Sequence, residues 1–343
     1  MTARKSLKRI IRNRMQMTDM SYSAARAQVL RGRDEIVAAG LSQSTPLFSL
    51  PRVTMPNVFP DNIEVKPGAL DVVILKINQQ SARVRVLSTG EQITLRSSEV
   101  CEYVPGQIVT TNITKRWVHR GNAYASGEVG NGRIDIPALG LPLLRLEDRG
   151  VEHWRDDDEG NEEVPLAIRA LWCQIGVKPR AYFEMEQILP GTDDESFDGT
   201  EDPIIAASEH HDAGETAEAE EILMDVLLQD LRCLDAHAHL GNFAFHGCPE
   251  TALLHYEVGV RIGMQTLGLQ FTGMLPWGWL DNRPFLRCLH GYGLTLWKLG
   301  QFKEAEHIFE RMIWLNPNDN QGARFNWLDV KAGKTWASTR DTN

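Results

Sequence analysis

A chain of 343 residues is longer than one ordinary domain, and a content of 42% apolar and 24% charged residues is typical of a globular protein, not of a disordered or fibrous one. The formal net charge of -10 argues against nucleic-acid binding by the chain as a whole, so any such contact must be local. No run of 18 apolar residues and no secretory leader are recognisable, and the five cysteines are scattered without a C-x-x-C pair. We therefore expect a cytoplasmic protein without a membrane partner.

Residues 1–35 are predicted to form a basic helical hairpin. Basic residues surround a narrow apolar stripe on its first helix, and Gly32 can end its second helix. Candidate nucleic-acid contacts in this segment are Lys8, Arg9 and Arg12. The alternative is that the hairpin docks on the rest of its own protein and its basic face is solvated. Residues 36–67 contain five prolines, which rules out a helical period and predicts a Pro-rich linker.

Residues 68–146 change to short β-rich runs. Seven such runs are separated by turn signals, among them the Pro-Gly pair at 105–106 and the Gly-Asn-Gly sequence at 130–132. About 70 residues in about six strands predict a small all-β barrel, SH3-like or OB-like. One hairpin combines cations with aromatic residues, and its candidate nucleic-acid contacts are Lys115, Arg116, Trp117 and Arg120. Edge-strand protection and cross-strand packing are the alternative explanation of these four residues.

Residues 147–202 are predicted to be an acidic connector. Its first acidic run, EDRGVEHWRDDDEGNEE, lacks the ligand spacing and central glycine of a calcium-binding loop, so it indicates solvated charge and not a metal site. The stretch between the two acidic runs contains Trp172 and Phe183. It is apolar enough to dock on a neighbouring part of the chain, but its fold is left open.

Residues 203–333 show the periodicity of α-helices. Apolar residues in 302–313 recur at three- and four-residue steps, which places them on one helical face. Corresponding small residues at Ala207 and Gly241 are 34 residues apart, whereas Gly241 and Gly293 are 52 residues apart. This spacing predicts an all-α array with an insertion at 264–283, closed by a capping helix at 318–333.

Residues 287–319 read RCLHGYGLTLWKLGQFKEAEHIFERMIWLNPND, with Tyr292, Gly293, Ala305, Phe309 and Pro317 at the diagnostic positions of a tetratricopeptide repeat (TPR). This stretch resembles such a repeat. The phrases KRWVHRGNAYASGEV, RCLDAHAHLG, HYEVGVRIG, LPWGWLDNRPFLRCLHGYGL and LNPNDNQGARF together resemble a family of uncharacterised bacterial TPR proteins with a small β-domain before the repeats. The expected fold is therefore a multidomain α+β chain with an N-terminal helical hairpin, a small barrel and a C-terminal TPR array. The resemblance implies a binding scaffold and no known reaction.

In TPR arrays the inner helices line a concave groove. The resemblance places the groove positions on Asn242, Phe245, His246, Arg287, His290, Leu294, Trp297 and Lys298. Arginine, lysine and tryptophan on a concave surface suit an acidic or C-terminal peptide, through carboxylate contacts and aromatic anchoring. The alternative is that Trp297 packs inside the array and that the cations are solvated.

The sequence contains no motif that indicates catalysis. A nucleophile elbow, a phosphate-binding loop and a dinucleotide-binding glycine motif are all missing, and the histidines near 210–255 lack the spacing of a zinc site. We therefore predict no enzymatic activity, no cofactor and no metal. Our first functional hypothesis is a cytosolic adaptor that binds an unidentified protein or peptide in the groove. The alternative is an RNA- or ribosome-associated protein that uses the barrel and the basic N-terminal hairpin.

Overall fold

The computed structural model describes residues 69–154, 165–190 and 202–337. In these residues a five-stranded barrel precedes a helical region, which confirms the predicted α+β class. The helical hairpin predicted for residues 1–35 and the linker predicted for residues 36–67 lie outside the described residues, as do the candidate contacts Lys8, Arg9 and Arg12.

The barrel closes on itself with its strands in the order β1-β2-β3-β5-β4. The strands are β1 (Ala69–Asn78), β2 (Ser81–Val86), β3 (Gln92–Arg96), β4 (Ile108–His119) and β5 (Asn122–Arg133). Neighbouring strands are antiparallel except β3 and β5, which are parallel. Along β2, Ala82, Val84 and Val86 point into the barrel and alternate with polar residues, the period expected of a strand with one buried face.

The barrel has five strands where the sequence predicts about six. The β-rich run at 99–104 mostly forms a 3₁₀ helix (Ser98–Glu102), whose first turn is capped by the Ser97 hydroxyl accepting from the Glu99 N–H. The turn predicted at 130–132 instead continues β5. Glycines let β5 lie against β4, since a Cβ on Gly127 would come within 2.3 Å of the Asn112 carbonyl oxygen.

The stretch whose fold the sequence left open forms a small sheet and one helix. Strands β6 (Leu146–Glu152) and β7 (Arg180–Met185) pair antiparallel, and α1 (Leu166–Ile175) lies between them in the chain. Trp172 on α1 is buried in the same core as the later helices. Phe183 donates its N–H to the Met274 carbonyl and packs on Phe271, with ring centroids 5.3 Å apart. This part of the predicted connector therefore docks on the helical region.

Three antiparallel helical hairpins and one further helix make up residues 202–337. Their helices are α2 (Pro203–Asp212), α3 (Thr216–Gln229), α4 (Leu234–Ala244), α5 (Pro249–Leu267), α6 (Arg283–Lys298), α7 (Phe302–Leu315) and α8 (Ala323–Lys331). Helix α5 continues to Leu267, past the start of the predicted insertion at 264–283, and Gly268 follows it at a φ of 71°, which glycine adopts readily. The Asp319 carboxylate accepts the Ala323 and Arg324 N–H groups at 2.6 and 3.1 Å and so caps α8. None of the described helices is both long and apolar enough to cross a bilayer.

Tyr256 on α5 explains why two helices carry glycine at the contact. A Cβ on Gly241 of α4 or on Gly291 of α6 would lie 2.6 or 2.2 Å from the Tyr256 ring. Its hydroxyl donates to Asn242 Oδ1 at 2.7 Å. The ring thus fills the space where α4, α5 and α6 meet, and small residues at 241 and 291 are what allow it.

The barrel is fixed to the helical region by a shared core. Val73 and Leu75 of β1 belong to the same buried cluster as residues of α3 to α7. Lys76 binds Asp225 on α3 at 2.5 Å, and Arg261 on α5 donates to the Ile134 carbonyl at 3.2 Å. Because apolar packing and polar contacts both cross the junction, the barrel and the helices form one packed unit.

Candidate functional site

A cavity of about 270 Å³ opens between α4 and α6. It is lined by Asn242, Phe245, His246, Tyr256, Arg287, His290, Gly291, Leu294 and Gln321. Six of these nine residues are among the eight predicted groove positions. The adjacency of α4 and α6 brings them together although they are about fifty residues apart in the chain.

Arg287 lines the cavity, and an ion pair with Asp235 neutralises part of its charge. Its Nη1 donates to Asp235 Oδ1 at 2.6 Å. The Asp235 side chain is only 7% exposed, whereas that of Arg287 is 34% exposed. The described residues supply no hydrogen-bond acceptor for the other guanidinium N–H groups of Arg287, which leaves them free to meet a ligand.

The neutral polar residues of the cavity are held by bonds to other elements. The Nε2 of His290 lies 3.0 Å from Asn326 Oδ1 on α8, and burial lowers the His290 pKa, so the ring is a neutral donor at pH 7. Gln321 donates to the Leu286 carbonyl at 3.3 Å, while its buried Oε1 has no partner among the described residues. Asn242 is exposed and keeps its amide N–H groups for solvent or a ligand.

Two predicted groove residues do not line the cavity. Trp297 is 2% exposed, its indole N–H donates to the Lys334 carbonyl at 2.8 Å, and Trp336 packs on it edge to face. Lys298 donates to the Phe245 carbonyl at 2.6 Å and lies 4.7 Å from the centroid of the Phe245 ring. Trp297 is thus covered by the segment after α8, and Lys298 ties α6 to the end of α4.

Sequence reasoning missed Asp235, Tyr256 and Gln321 as parts of this site. Nothing in the local pattern distinguishes Gln321. Asp235 stands in the first turn of α4, where an acidic residue is common because it complements the helix dipole. Its burial under Arg287 depends on a contact across 52 residues.

Replacing Arg287 with Met should lower the free energy of unfolding by about 1 to 3 kcal/mol, because it removes the 2.6 Å ion pair and leaves the buried Asp235 carboxylate only the longer contacts to Gln187 at 3.4 Å and His239 at 3.9 Å. The Asp235→Asn/Arg287→Met double variant should recover much of that loss. Urea unfolding of the parent, both single variants and the double variant gives the coupling energy. If the loss of stability in the double variant equalled the sum of the losses in the two single variants, the ion pair would not contribute to stability.

The four candidate nucleic-acid contacts of the barrel lie on β4 and the turn that follows it. Trp117 stacks on Tyr124 of β5, with ring centroids 5.6 Å apart and an interplanar angle of 10°. Lys115 lies 5.6 Å from the Trp117 ring, whereas Arg116 pairs with Glu91 at 3.4 Å. Arg120 is exposed in the β4–β5 turn at a φ of 48°. The sequence missed Tyr124 and Arg96, although the period-two burial pattern of β3 places Arg96 outside.

Among the described residues, no group of three or more His, Cys, Asp or Glu side chains is arranged to hold a metal ion. Comparison of the chain with protein-family models, with curated proteins and with solved structures found no match. The function proposed for this protein therefore depends on the cavity and on the barrel surface themselves.

Proposed function

We propose that this chain is a non-enzymatic adaptor that binds a carboxylate-bearing protein segment in the cavity between α4 and α6. The proposal depends on the residues that line the cavity. It combines one arginine with free N–H groups, further polar groups from α4 and the α7–α8 turn, and the apolar side chains of Phe245 and Leu294. A concave surface with apolar walls and a few convergent polar groups is typical of a binding site.

The arrangement of the helices supports a TPR-like array. Each hairpin joins two antiparallel helices, and consecutive hairpins pack side by side. Small residues occur where the helices come closest, as at Gly241 and Gly293, and Phe309 packs against the second of these. In this interpretation α2, α4 and α6 form the inner, concave layer and α3, α5 and α7 form the outer layer.

The strand order supports the OB-like alternative for the barrel. Strand β5 lies between β3 and β4 and is parallel to β3. A short 3₁₀ helix connects β3 to β4. An SH3-like barrel is built mainly as a meander of consecutive antiparallel strands, which would not produce the parallel pair. We therefore assign the barrel to the five-stranded Greek-key class.

The chemistry of the cavity favours a carboxylate as the recognised group. Arg287 can donate to a second carboxylate beside Asp235, and planar guanidinium–carboxylate contacts give specificity as well as energy. A volume of about 270 Å³ accommodates one or two side chains, so the cavity would anchor a short segment and not a folded domain. Residues 202–337 carry more acidic than basic residues, so the attraction is local to Arg287 and should depend only weakly on salt.

A Leu294→Glu variant tests the proposal, because it fills part of the cavity and adds a charge that repels a carboxylate. The probes are fluorescein-labelled synthetic peptides of three kinds: acidic with a free C-terminus, acidic with an amidated C-terminus, and neutral with a free C-terminus. We expect at least one carboxylate class to bind, and Leu294→Glu to weaken that binding by about tenfold or more. The three peptides distinguish an acidic side chain from a terminal carboxylate.

His307→Glu is the matched control, since His307 is exposed on α7 and does not line the cavity. It adds the same charge to the same region and should leave peptide binding unchanged. The proposal is wrong if neither carboxylate class binds the parent, or if both variants weaken binding equally. Unchanged circular dichroism of both variants shows that the helices have kept their fold.

A further inference from the structure

A second surface with its own chemistry lies on the outside of the barrel, away from the cavity. The strand registers place side chains in rows that cross β2, β3, β5 and β4 in that order. One row consists of Arg83, Thr94, Tyr124 and Trp117. The next row, two residues along each strand, consists of Ser81, Arg96, Ser126 and Lys115. These two rows together are the Trp117 face.

The rows share one side of the sheet. Ile93, Leu95 and Ala125 are buried inside the barrel and alternate with members of the rows, so the rows point outward. Arg96 and Lys115 are exposed, and Arg83, Trp117 and Tyr124 are partly exposed. With strands about 4.8 Å apart, a row that crosses four strands is about 14 Å wide.

The Trp117 face is basic and carries no acidic side chain. The described residues supply no carboxylate partner for Arg83, Arg96 or Lys115. Arg96 lies 5.8 Å from the centroids of both the Trp117 and the Tyr124 ring. Residues 69–133 contain eight Lys and Arg residues against five Asp and Glu residues, in a chain whose net charge is -10. The barrel is therefore a local basic region on an acidic protein.

We propose that the Trp117 face binds single-stranded nucleic acid. Bases would stack on the Trp117–Tyr124 pair, and phosphates would meet Arg83, Arg96 and Lys115. A row of cations beside aromatic rings is the combination that single-strand binding uses, because every base has a flat face and every nucleotide carries a charge. The serines and the threonine of the rows add hydrogen-bonding groups without bulk.

Other anionic partners fit this face less well. The two rows contain no aliphatic side chain, and the rings of Trp117 and Tyr124 stack on each other, so the face lacks the continuous hydrophobic surface that enters a lipid layer. A duplex hides its bases inside the stack, where the two aromatic rings on the barrel surface cannot reach them. Charge complementarity together with an aromatic stacking pair thus favours an unpaired strand. The proposal is independent of peptide binding between α4 and α6.

The test measures binding of fluorescein-labelled oligo-U and oligo-dT of about 16 nucleotides to the full chain by anisotropy. A hairpin duplex of the same charge and anionic vesicles are the comparison ligands. We expect the unpaired strands to bind more tightly than the duplex, and the two sugars distinguish RNA from DNA. Affinity should fall steeply between about 50 and 200 mM salt.

Arg96→Gln/Lys115→Gln should weaken binding by about tenfold or more and reduce the slope of log K against log salt by about 1.4, since each phosphate contact contributes about 0.7 for a single strand. Trp117→Ala should weaken binding by about tenfold, and Trp117→Phe should restore most of it, because phenylalanine keeps a stacking surface. Lys178→Gln/Lys303→Gln is the matched control. It removes two exposed lysines outside the barrel and should change neither affinity nor slope by a comparable amount.

The proposal is wrong if neither oligonucleotide binds at low salt, if vesicles bind without oligonucleotide binding, or if the face variant and the lysine control lose equal affinity. Arg9→Gln/Arg12→Gln addresses the remaining source of basic charge in the full chain. If that variant abolishes binding while Arg96→Gln/Lys115→Gln leaves it unchanged, the Trp117 face is not the site. Unchanged thermal melting of each variant shows that a loss of binding is not a loss of fold.

Discussion

Replacing Phe309 with alanine should lower the free energy of unfolding by about 3 to 5 kcal/mol. Phe309 is fully buried on α7, and its ring is close to α6, since a Cβ on Gly293 would lie 2.8 Å from Phe309 Cε1. The ring of His290, which lines the cavity, is 6.1 Å away. Truncation to alanine therefore removes buried apolar surface and also leaves a void that α6 and α7 cannot close without moving.

Phe325→Ala is the matched control, because Phe325 on α8 is 57% exposed. The same truncation there should change the free energy of unfolding by about 0.5 kcal/mol or less. Urea unfolding followed by circular dichroism measures both changes. If Phe309→Ala unfolded at the same urea concentration as the parent, α6 and α7 would not pack as described. A loss at Phe309 with unchanged peptide binding under native conditions would separate the packing role from the cavity.

The stability of this protein should fall sharply as the pH is lowered from 7 to 5, because two histidines are buried as neutral rings. His237 on α4 is fully buried and His255 on α5 is 3% exposed, with ring centroids 6.2 Å apart. Burial lowers the His237 pKa to about 4, and burial together with His237 lowers the His255 pKa to about 3. In the unfolded chain both histidines have the ordinary pKa of 6.5.

Acid lowers the free energy of unfolding because the unfolded chain takes up protons more readily than the folded protein does. Below pH 6.5 the unfolded chain binds a proton on each ring, while the folded protein resists protonation until pH falls to about 4 for His237 and about 3 for His255. Acidification therefore favours unfolding, by about 1.4 kcal/mol per pH unit for each histidine. Between pH 7 and pH 5 the two rings together should reduce the free energy of unfolding by roughly 3 to 4 kcal/mol.

His255→Leu isolates this contribution. His255 makes no hydrogen bond to the described residues, so an apolar side chain of similar size should not reduce stability at pH 7. The variant should lose about half of the acid-induced destabilisation. Burial raises the Asp319 pKa to about 6, which acts in the opposite direction, but that contribution is the same in the parent and the variant and cancels in the comparison.

The measurement is the free energy of unfolding in urea at several pH values between 7 and 5. His307→Leu is the control, since it makes the same substitution at a histidine that is exposed on α7. If the free energy of unfolding fell equally with pH in the parent and in His255→Leu, the two histidines would not be buried as neutral rings. Because α4 carries His237 together with cavity residues, we also expect acidification to loosen one wall of the cavity.

Much of the barrel and of the helical region could be predicted because each depends on a short-range period. Alternation of buried and polar residues identifies β2 and β3, and three- and four-residue steps identify α6 and α7. The strand count was less accurate. Residues 99–104 are rich in strand-forming side chains, yet Ser97 caps a 3₁₀ turn there, and tertiary closure of the barrel overrides the local preference.

The spacing of residues on α6 predicts part of the lining of the cavity but not its chemistry. Helical spacing brings Arg287, His290 and Leu294 to one face, and the cavity contains all three. The spacing does not reveal that Asp235 neutralises part of Arg287, nor that the segment after α8 covers Trp297. The same holds for the Trp117 face, because β3 and β5 become neighbours only when the barrel closes.

The order of a β-rich part followed by paired helices, the close-packing residues such as Gly293 and Phe309, and the candidate groove helix α6 could all be inferred from the sequence alone. These features depend on residues a few positions apart, whose geometry the backbone period imposes. Which candidate side chains stay available to a partner depends instead on long-range contacts. Arg287, Lys298 and Trp297 acquire their partners from residues 37 to 53 positions away, and such contacts exist only after the helices have packed.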